Sequence, residues 1–351
     1  MSLIQFEKFS CLYRVSYQFK ARHLFIERYC RLLTGSLLLL ISAFTNAQWY
    51  ERSWNAMGTR IHVEVSDESE SHANLLFDQV FREFYRLEES MSSYIDTSEV
   101  SIVNQNAAEA PVKVSRELID LIKKSFQVSK ISNGAFDITY ASVGRYYDYR
   151  KNQAPDESQI EANLDAIDYR HVVVDEKAST ISFTHPHVYI DLGGIAKGYA
   201  VDRAIDILRQ GGVISGMVSA GGDTQLIGNK LGKPWIVGIK DPRREEESAV
   251  LLPLENTAIS TSGDYERYFI QDGVRYHHII SPKTGRSAGE VQSVTILGPD
   301  STTTDALSTT VFVLGVEKGL ELVERLPGID AIIVDQHRKM HYSSELSTPG
   351  E

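Results

Sequence analysis

Residues 189–202 constrain the fold of this chain more than any other stretch, because they combine a strand end, a glycine turn and a helix start. The apolar residues 188–190 predict the end of a strand, which Asp191 closes. Gly193 and Gly194 let the backbone turn tightly and approach a ligand with no Cβ in the way. The apolar residues that follow recur at helical spacing, so a helix is predicted to begin directly after the glycines.

A strand, a glycine turn and a helix N-terminus together form a place where backbone N–H groups can meet phosphate oxygens. Lys197 lies in the first turn of the predicted helix and adds a positive charge there. The alternative is an ordinary strand-to-helix turn with a solvated lysine, and a glycine pair by itself does not distinguish the two. The rest of the chain has to decide between them.

Composition limits the classes of function. The 351 residues suffice for two domains or for one large domain with insertions, and 42% hydrophobic with 24% charged residues is typical of a globular protein. The net charge of −11 argues against nucleic acid as a partner. The sequence has no P-loop and no GxGxxG or HExxH motif, which excludes several common nucleotide-binding and metalloprotease signatures.

The first 47 residues have the features of a secretory signal peptide. They carry six Lys and Arg against two Glu, followed by the apolar run 32–44 and a small-residue exit at 45–47. The run is too short to span a bilayer comfortably, where about 20 residues are needed. A buried helix is the alternative, but its flanks would be unusual, so we predict export. Both cysteines, Cys11 and Cys30, lie in this leader, which excludes cysteine chemistry from the remainder.

The remaining segments predict an α+β fold. An alternating strand at 59–65 precedes a helix at 72–89, and a strand, two helices and a strand follow one another over 291–334. Strands and helices alternate irregularly, with hairpin-like neighbours. This pattern favours mixed or antiparallel sheets with packed helices over a doubly wound parallel sheet. We predict one folded domain over 48–336 and a loose tail over 337–351.

Three oxygen-bearing residues share one face of the helix predicted over 304–314. Asp305, Ser308 and Thr309 fall at i, i+3 and i+4. Carboxylate and hydroxyl oxygens suit Mg²⁺ or Ca²⁺ and not zinc. The alternative is a polar helix start, with a threonine before Asp305 as the N-cap and Asp305 favoured by the helix dipole. The spacing leaves both interpretations open.

Histidines and turn acids give further candidates. His277 and His278 could supply an acid–base group or a phosphate donor, because imidazole titrates near neutrality. Strand neighbours point to opposite faces, so these two rings alone do not form a metal site. Asp137, Asp191 and Asp223 each lie beside a glycine turn. Each can be a plain turn former, although three such acids in one chain suggest a polar ligand.

With these residues in place, the chain resembles the ApbE family of FAD:protein FMN transferases. Eight motifs occur in the family's order and cover essentially all of the chain after the leader. They lie at residues 57–59, 92–94, 134–139, 191–202, 220–223, 260–266, 278–285 and 305–309. Each motif alone is weak, and it is their common order that makes the resemblance specific.

The resemblance implies a Mg²⁺-dependent enzyme with FAD as substrate and an α+β fold related to the tunnelling fold. Such enzymes transfer FMN to a Thr or Ser hydroxyl of a target protein and release AMP. Their targets are exported flavoproteins and subunits of membrane redox complexes, which agrees with a leader. Residues 48–336 would then be the flavin transferase domain of a periplasmic protein, with the leader either removed or kept as an inner-membrane anchor.

The resemblance also implies roles for single residues. Gly194, through its carbonyl, and Asp305, Ser308 and Thr309 would hold the metal. His278 would activate the acceptor hydroxyl, so that His278 and Asp305 are the predicted catalytic residues. The FAD-binding residues implied are Met57, Tyr94, Ala135, Phe136, Asp137, Asp191, Lys197 and Ile280.

Two positions depart from the family pattern. Ser281 replaces the aspartate of the motif His-x-Ile-Asp-Pro, so any role of that acid does not transfer to this chain. Ser308 stands where some members carry Asp, and it is therefore expected to contact the metal only weakly or through water.

Two other functions fit much of the same sequence. An FAD pyrophosphatase would use water in place of the protein hydroxyl and release free FMN and AMP from the same pocket. A non-catalytic exported flavin-binding protein would keep the FAD contacts without needing Asp305, Ser308 and Thr309 together. Product analysis separates the transferase from the first, and the presence of the three oxygen ligands counts against the second.

Overall fold

The computed structural model describes residues 47–347. Its contacts divide the chain after Gln48, and the second unit, Trp49–Glu351, carries the sheets and helices described below. The predicted leader and residues 348–351 of the predicted tail lie outside the described residues. Within residues 47–347, no helix combines the length and apolarity that a membrane span requires.

An eight-stranded sheet in the order β1-β2-β6-β7-β10-β15-β16-β17 organises the fold. Its strands are β1 (Gln48–Ala56), β2 (Thr59–Asp67), β6 (Gly216–Ala220), β7 (Asp223–Ile227), β10 (Ala258–Gly263), β15 (Val291–Gly298), β16 (Asp330–Asp335) and β17 (Met340–Tyr342). All neighbours from β2 to β17 pair antiparallel. On β2, Ile61, Val63 and Val65 are buried, as their alternation predicts.

Five of the helices contribute to the core on one face of this sheet. The helices of the described residues are α1 (Glu70–Met91), α2 (Glu99–Asn106), α3 (Arg116–Ile131), α4 (Ala141–Gly144), α5 (Glu157–Leu164), α6 (Ala196–Gln210), α7 (Ser301–Val323) and α8 (Ser344–Ser347). α6 packs between α1 and α7, with β6 and β7 beneath it, and α7 lies on β10 and β15. The apolar sides of these helices share one core with the sheet, so the two elements that carry the main sequence motifs, α6 and α7, are held side by side.

Smaller strand groups complete the fold. They form a three-stranded sheet in the order β3-β5-β4 and the ribbons β8–β9, β11–β12 and β13–β14. Their bounds are β3 (Val112–Lys113), β4 (Val172–Asp175), β5 (Thr180–Phe183), β8 (Trp235–Asp241), β9 (Arg244–Leu254), β11 (Tyr268–Gln271), β12 (Val274–His277), β13 (Ile280–Ser281) and β14 (Arg286–Ser287). The antiparallel pairing and the packed helices confirm the predicted α+β class.

The ribbon β8–β9 forms a second apolar cluster with the sheet. Trp235 and Ile239 of β8 pack with Leu226, Ile259 and Ile332 from three sheet strands. This cluster is separate from the core beneath the helices. Apolar residues therefore cover both faces of the central strands. The buried polar groups of α6 and α7 thus lie against strands that water does not reach.

The segment before the glycine turn is not a strand, contrary to the prediction. Residues 188–192 make no sheet pairing. Instead, the side-chain amide of Asn104 replaces a neighbouring strand. Its Oδ1 accepts from the Ile190 N–H at 2.8 Å, and its Nδ2 donates to the Ile190 carbonyl at 2.9 Å. A long-range side-chain contact of this kind leaves no periodic signal in the sequence.

The predicted loose tail is wrong for most of its length. β17 pairs antiparallel with β16. The following Ser343 is buried, and its hydroxyl bonds both the Ala331 N–H, at 3.1 Å, and Asp330 Oδ1, at 2.7 Å. Without this segment, β16 would be an edge strand with unpaired backbone groups. Its pairing with β17 covers that edge.

Candidate functional site

The crossing of α6 and α7 forms the frame of the candidate site. The Gly198 N–H, in the first turn of α6, donates to Asp305 Oδ2 of α7 at 2.9 Å. One turn further along α6, Asp202 accepts from the Ser301 and Thr302 N–H groups at 2.7 and 2.8 Å. Each helix therefore caps the first turn of the other, since these N–H groups have no partner within their own helix.

This crossing has no room for a side chain at position 198. A Cβ on Gly198 would lie 2.1 Å from the Ser301 carbonyl oxygen and 2.7 Å from the Asp305 Cβ. We expect Gly198→Ala to lower the free energy of unfolding by about 3 kcal/mol or more, because backbone has to move. Urea unfolding measures it. Gly289→Ala, where a Cβ would meet nothing within 4 Å, is the matched control. Equal stability of both variants would contradict the tight crossing.

A buried charge cluster lies beside the crossing. Lys197 Nζ is 2.5 Å from Asp223 Oδ2 and 3.5 Å from Asp305 Oδ1. Asp223 and Asp305 are 2% and 3% exposed, so two buried carboxylates share one ammonium group, whose side chain is 28% exposed. Such a cluster is negative overall, and a buried net charge is costly unless a further cation or a proton offsets it.

The pKa values reflect that imbalance. Burial and the neighbouring Asp223 raise the pKa of Asp305 to about 7, against the opposing effects of Lys197 and the Gly198 N–H. Burial by itself would lower the pKa of Lys197, but the two carboxylates raise it, so the ammonium stays charged. Burial beside Asp223 therefore disfavours the charged form of Asp305, and a nearby cation would offset this cost.

Three hydroxyl groups lie close together on and beside α7, next to Asp305 in the chain or in contact with its neighbours. Ser262 Oγ lies 2.8 Å from Ser308 Oγ and 3.3 Å from Thr309 Oγ1. The Ser308 hydroxyl also donates to the Asp305 carbonyl at 2.9 Å. Ser308 is thus already engaged on both sides, whereas Thr309 has only the longer contact.

The predicted metal ligands fit a hard cation. A Cβ on Gly194 would lie 3.3 Å from Thr309 Oγ1 and 3.2 Å from the Phe136 ring, so the missing side chain keeps a space open between this backbone and α7. A carbonyl, a carboxylate and a hydroxyl are the donors that Mg²⁺ takes. Within residues 47–347, no group of three or more His, Cys, Asp and Glu side chains is arranged to bind a metal. The candidate site is instead of the mixed oxygen type.

Asp191 fixes the glycine turn that leads into α6. Its Oδ1 accepts from the Gly193 N–H at 2.7 Å and from the Tyr140 hydroxyl at 2.9 Å. Its Oδ2 accepts from the Ser93 hydroxyl at 2.5 Å. Burial and Asp191 raise the pKa of Tyr140, which keeps that hydroxyl protonated as a donor. Asp191 therefore joins three separate segments at the site, as well as being available to a ligand.

Asp137 is engaged within the protein. Its Oδ1 accepts from the N–H and hydroxyl groups of Thr139 at 2.9 and 2.6 Å, and its Oδ2 accepts from the Tyr169 N–H at 2.8 Å. It caps the short 3-10 helix Ile138–Tyr140. Of its neighbours, Phe136 is buried against Gly194 and Ala135 is half-buried. This segment thus reaches the site through the ring of Phe136, while the Asp137 carboxylate shapes the turn.

The remaining predicted FAD residues, Met57, Tyr94 and Ile280, lie in different environments. Met57 has a φ of 51° and Gly58 a φ of 71°, which is the pattern of a tight type I′ turn between β1 and β2. The Tyr94 side chain is 86% exposed and free to stack on a ring system. Ile280 is buried in a small cluster with Val143 and Ile160, so it supports its loop from beneath.

His278 carries a neutral imidazole at the end of β12. Its Nδ1 is buried and has no hydrogen-bond partner among the described residues. Burial, together with the charges of Arg267, His277 and Lys197, lowers the pKa of His278 to about 3. His277, in contrast, bonds the Ala288 carbonyl through Nε2 at 2.5 Å. The two neighbouring imidazoles therefore differ, because His277 bonds the Ala288 carbonyl and Nδ1 of His278 has no partner among the described residues.

Several residues of this site were not among the predicted ones. Asp223 was noted only as a turn acid, yet it holds Lys197. Asp202 closes the glycine-turn motif and caps α7, and Ser262 links β10 to Ser308. For Asp202, the available signal was its spacing of one helical turn from Gly198. Ser262 had none.

The sequence pattern of the ApbE family matches residues 57–333 of this chain. A Vibrio cholerae protein named FAD:protein FMN transferase is 32% identical over 320 residues, covering 88% of this chain and 95% of that protein. A Klebsiella pneumoniae protein of the same name is 34% identical over 299 residues, covering 84% and 92%.

Solved structures give the same result. The ApbE protein of Thermotoga maritima superposes with a TM-score of 0.79 at 36% identity, covering 85% of this chain and 98% of that one. The flavin transferase ApbE of Vibrio cholerae gives a TM-score of 0.76 at 30% identity, covering 85% and 98%.

Proposed function

The chain belongs to the ApbE family of FAD:protein FMN transferases, and we propose that it uses Mg²⁺ to transfer the FMN part of FAD to a Thr or Ser hydroxyl of another protein. AMP is the second product. The acceptor is an exported or membrane-bound redox protein, and the enzyme acts in the periplasm, in line with the leader features of residues 1–47.

The observation that carries this proposal is the buried cluster of Asp305, Asp223 and Lys197 beside an open glycine backbone. A flavin-binding protein has no need for two buried carboxylates that share one ammonium. A phosphoryl-transfer enzyme does need them, because carboxylates hold the cation that neutralises the diphosphate while its bond to the leaving group breaks.

In the proposed reaction the acceptor hydroxyl oxygen attacks the phosphorus on the FMN side of the FAD diphosphate. A phosphoester bond forms, the bond to the bridging oxygen breaks, and the electron pair leaves with AMP. The hydroxyl proton passes to His278, whose imidazole is unprotonated at neutral pH. Tyr94 and Phe136 supply aromatic surfaces that orient the ring systems.

Gly194, Asp305 and Thr309 are the residues that would hold Mg²⁺, which when bound supplies Lewis-acid neutralisation of the diphosphate charge. Ser308 adds a weaker or water-mediated contact, because its hydroxyl is bonded to Ser262 and to the Asp305 carbonyl. Asp191 orders the glycine turn before substrate binds.

We expect His278→Gln to slow transfer by about 100-fold, because a positioned base contributes on the order of 10² to 10⁴. The affinity for FAD should stay the same. Since the pKa of His278 is about 3, the ratio of the wild-type rate to the His278→Gln rate should stay constant between pH 8 and pH 5.5, even where protonation of Asp305 lowers both rates. Single-turnover rates at several pH values, with FAD binding measured separately, test both statements.

His277→Gln is the matched control, since it removes an imidazole from the same ribbon. It should cost stability, through the Ala288 contact, and leave the rate of the folded protein near that of wild type. If the two variants lost transfer equally, the base role of His278 would have to be abandoned.

The function itself is tested with the purified full-length protein, FAD, Mg²⁺ and a candidate exported acceptor that carries a threonine. Flavin fluorescence on the acceptor band of a denaturing gel, lost with chelator, is the expected result. Free FMN and AMP with a dark acceptor would favour the pyrophosphatase. Intact FAD under every condition would favour a binding protein.

A further inference from the structure

Arg267 lies at the mouth of the candidate site. It precedes β11, and its carbonyl accepts from the His278 N–H at 3.1 Å. Its Nη2 is 3.1 Å from the position that a Cβ on Gly58 would occupy, so the guanidinium rests against the Met57–Gly58 turn. The side chain is exposed, and its charge acts on both His278 and Tyr94. The guanidinium thus lies beside the Met57–Gly58 turn and within electrostatic reach of Tyr94 and His278.

No carboxylate neutralises this guanidinium. Across residues 47–347, Arg267 has no side-chain hydrogen bond and no Asp or Glu within 4.0 Å. The nearby Arg243 and Arg275 differ, because both engage Asp264. Arg243 does so through two bonds of 2.7 and 2.6 Å, and Arg275 donates to the Asp264 carbonyl at 3.3 Å. Arg267 therefore keeps all of its donors available to a ligand.

The charge balance indicates what that ligand is. Asp191, Asp223 and Asp305 give the site three carboxylates against the single ammonium of Lys197. A diphosphate brings about two more negative charges, so cations are needed at its outer side as well as at the metal. An unpaired guanidinium is suited to this, because its planar fork binds phosphate oxygens in pairs.

We propose that Arg267 binds the diphosphate of FAD and is a substrate-positioning residue of this enzyme. The proposal rests on the proposed function, since it assumes that FAD enters this site. Arg267 would hold the diphosphate on the side away from α7 while the metal and Lys197 hold it from the α7 side. It would also keep the leaving phosphate of AMP paired as the bond breaks.

Binding measurements without acceptor test this in the full-length protein at fixed Mg²⁺, with FAD, ADP and riboflavin as ligands. Arg267→Gln should raise the Kd for FAD and for ADP about tenfold, the value of one charge-assisted contact, and leave the Kd for riboflavin unchanged. Arg267→Lys should recover only part of the loss, because an ammonium keeps the charge but not the paired contacts of the guanidinium. Arg209→Gln, which removes an exposed cation at the far end of α6, is the matched control and should change nothing.

The outcomes distinguish the two levels of inference. An unchanged Kd for FAD and ADP in Arg267→Gln overturns the proposal, and a raised KM for the acceptor in that case would assign Arg267 to the acceptor protein instead. An equal loss for riboflavin also overturns it, because a ligand without phosphate would then depend on the guanidinium. Failure of the wild-type protein to bind FAD would instead overturn the proposed function.

Discussion

Asp305→Ala is expected to reduce flavin transfer by about 10³-fold while the protein stays folded. The substitution removes the one carboxylate of the residues that would hold Mg²⁺. Without that cation, most of the positive charge that offsets the diphosphate in the transition state is lost. Loss of the acceptor for the Gly198 N–H costs stability, but the variant also no longer has to bury a second carboxylate beside Asp223. Transfer rates with saturating acceptor, alongside urea unfolding, separate the two effects.

The same helix offers the control. Asp300 is the N-cap of α7 and accepts from the Thr303 N–H at 2.8 Å, outside the charge cluster. Asp300→Ala should lower stability by about 1 kcal/mol and retain transfer. A chelator should bring the wild-type protein down to the rate of Asp305→Ala. Full transfer by a folded Asp305→Ala protein, or indifference to the chelator, would exclude the metal assignment.

Lys197→Met is expected to lower the free energy of unfolding by about 3 kcal/mol. It removes the only cation that the structure places between Asp223 and Asp305 within the described residues, and a buried carboxylate left unpaired is strongly destabilising. Urea unfolding in EDTA measures the loss. Burial already raises the pKa of Asp305, and loss of the ammonium removes an effect that opposes this rise, so the deficit should be smaller at pH 5 than at pH 8.

A second substitution tests whether the loss comes from Asp223. Lys197→Met combined with Asp223→Asn should recover part of the stability, because the amide needs no counter-ion. The two single effects would then be far from additive, as expected for groups in direct contact. Simple additivity, or a Lys197→Met loss below about 1 kcal/mol, would mean that water already screens the cluster.

Local pattern predicted the framework of the site. The helix after Gly194 and the face shared by Asp305, Ser308 and Thr309 follow from helical spacing, which acts over a few residues. The predicted start of α7, at residue 304, was wrong by three residues. The helix begins at Ser301 with Asp300 as N-cap, because Asp202 from another helix supplies the bonds that extend it beyond the predicted threonine cap.

Pairings between distant residues could not be predicted. Asp137 was assigned to FAD on resemblance, and the structure commits both of its oxygens to Thr139 and Tyr169. The strand predicted before Asp191 is replaced by contacts to Asn104, 86 residues earlier in the chain. The Tyr169 and Asn104 contacts depend on which group a distant segment brings near, and that information is absent from the local sequence, whereas the Thr139 contact is that of a local turn.

The mutual capping of α6 and α7 also limits how this chain can change. Gly198 and Asp202 are one turn apart on α6, and they meet Asp305 and Ser301, which are one turn apart on α7. A single inserted or deleted residue between either pair would rotate one contact by about 100° around its helix, so only one of the two could form. The number of residues between the paired groups is therefore fixed as strictly as the identity of those groups.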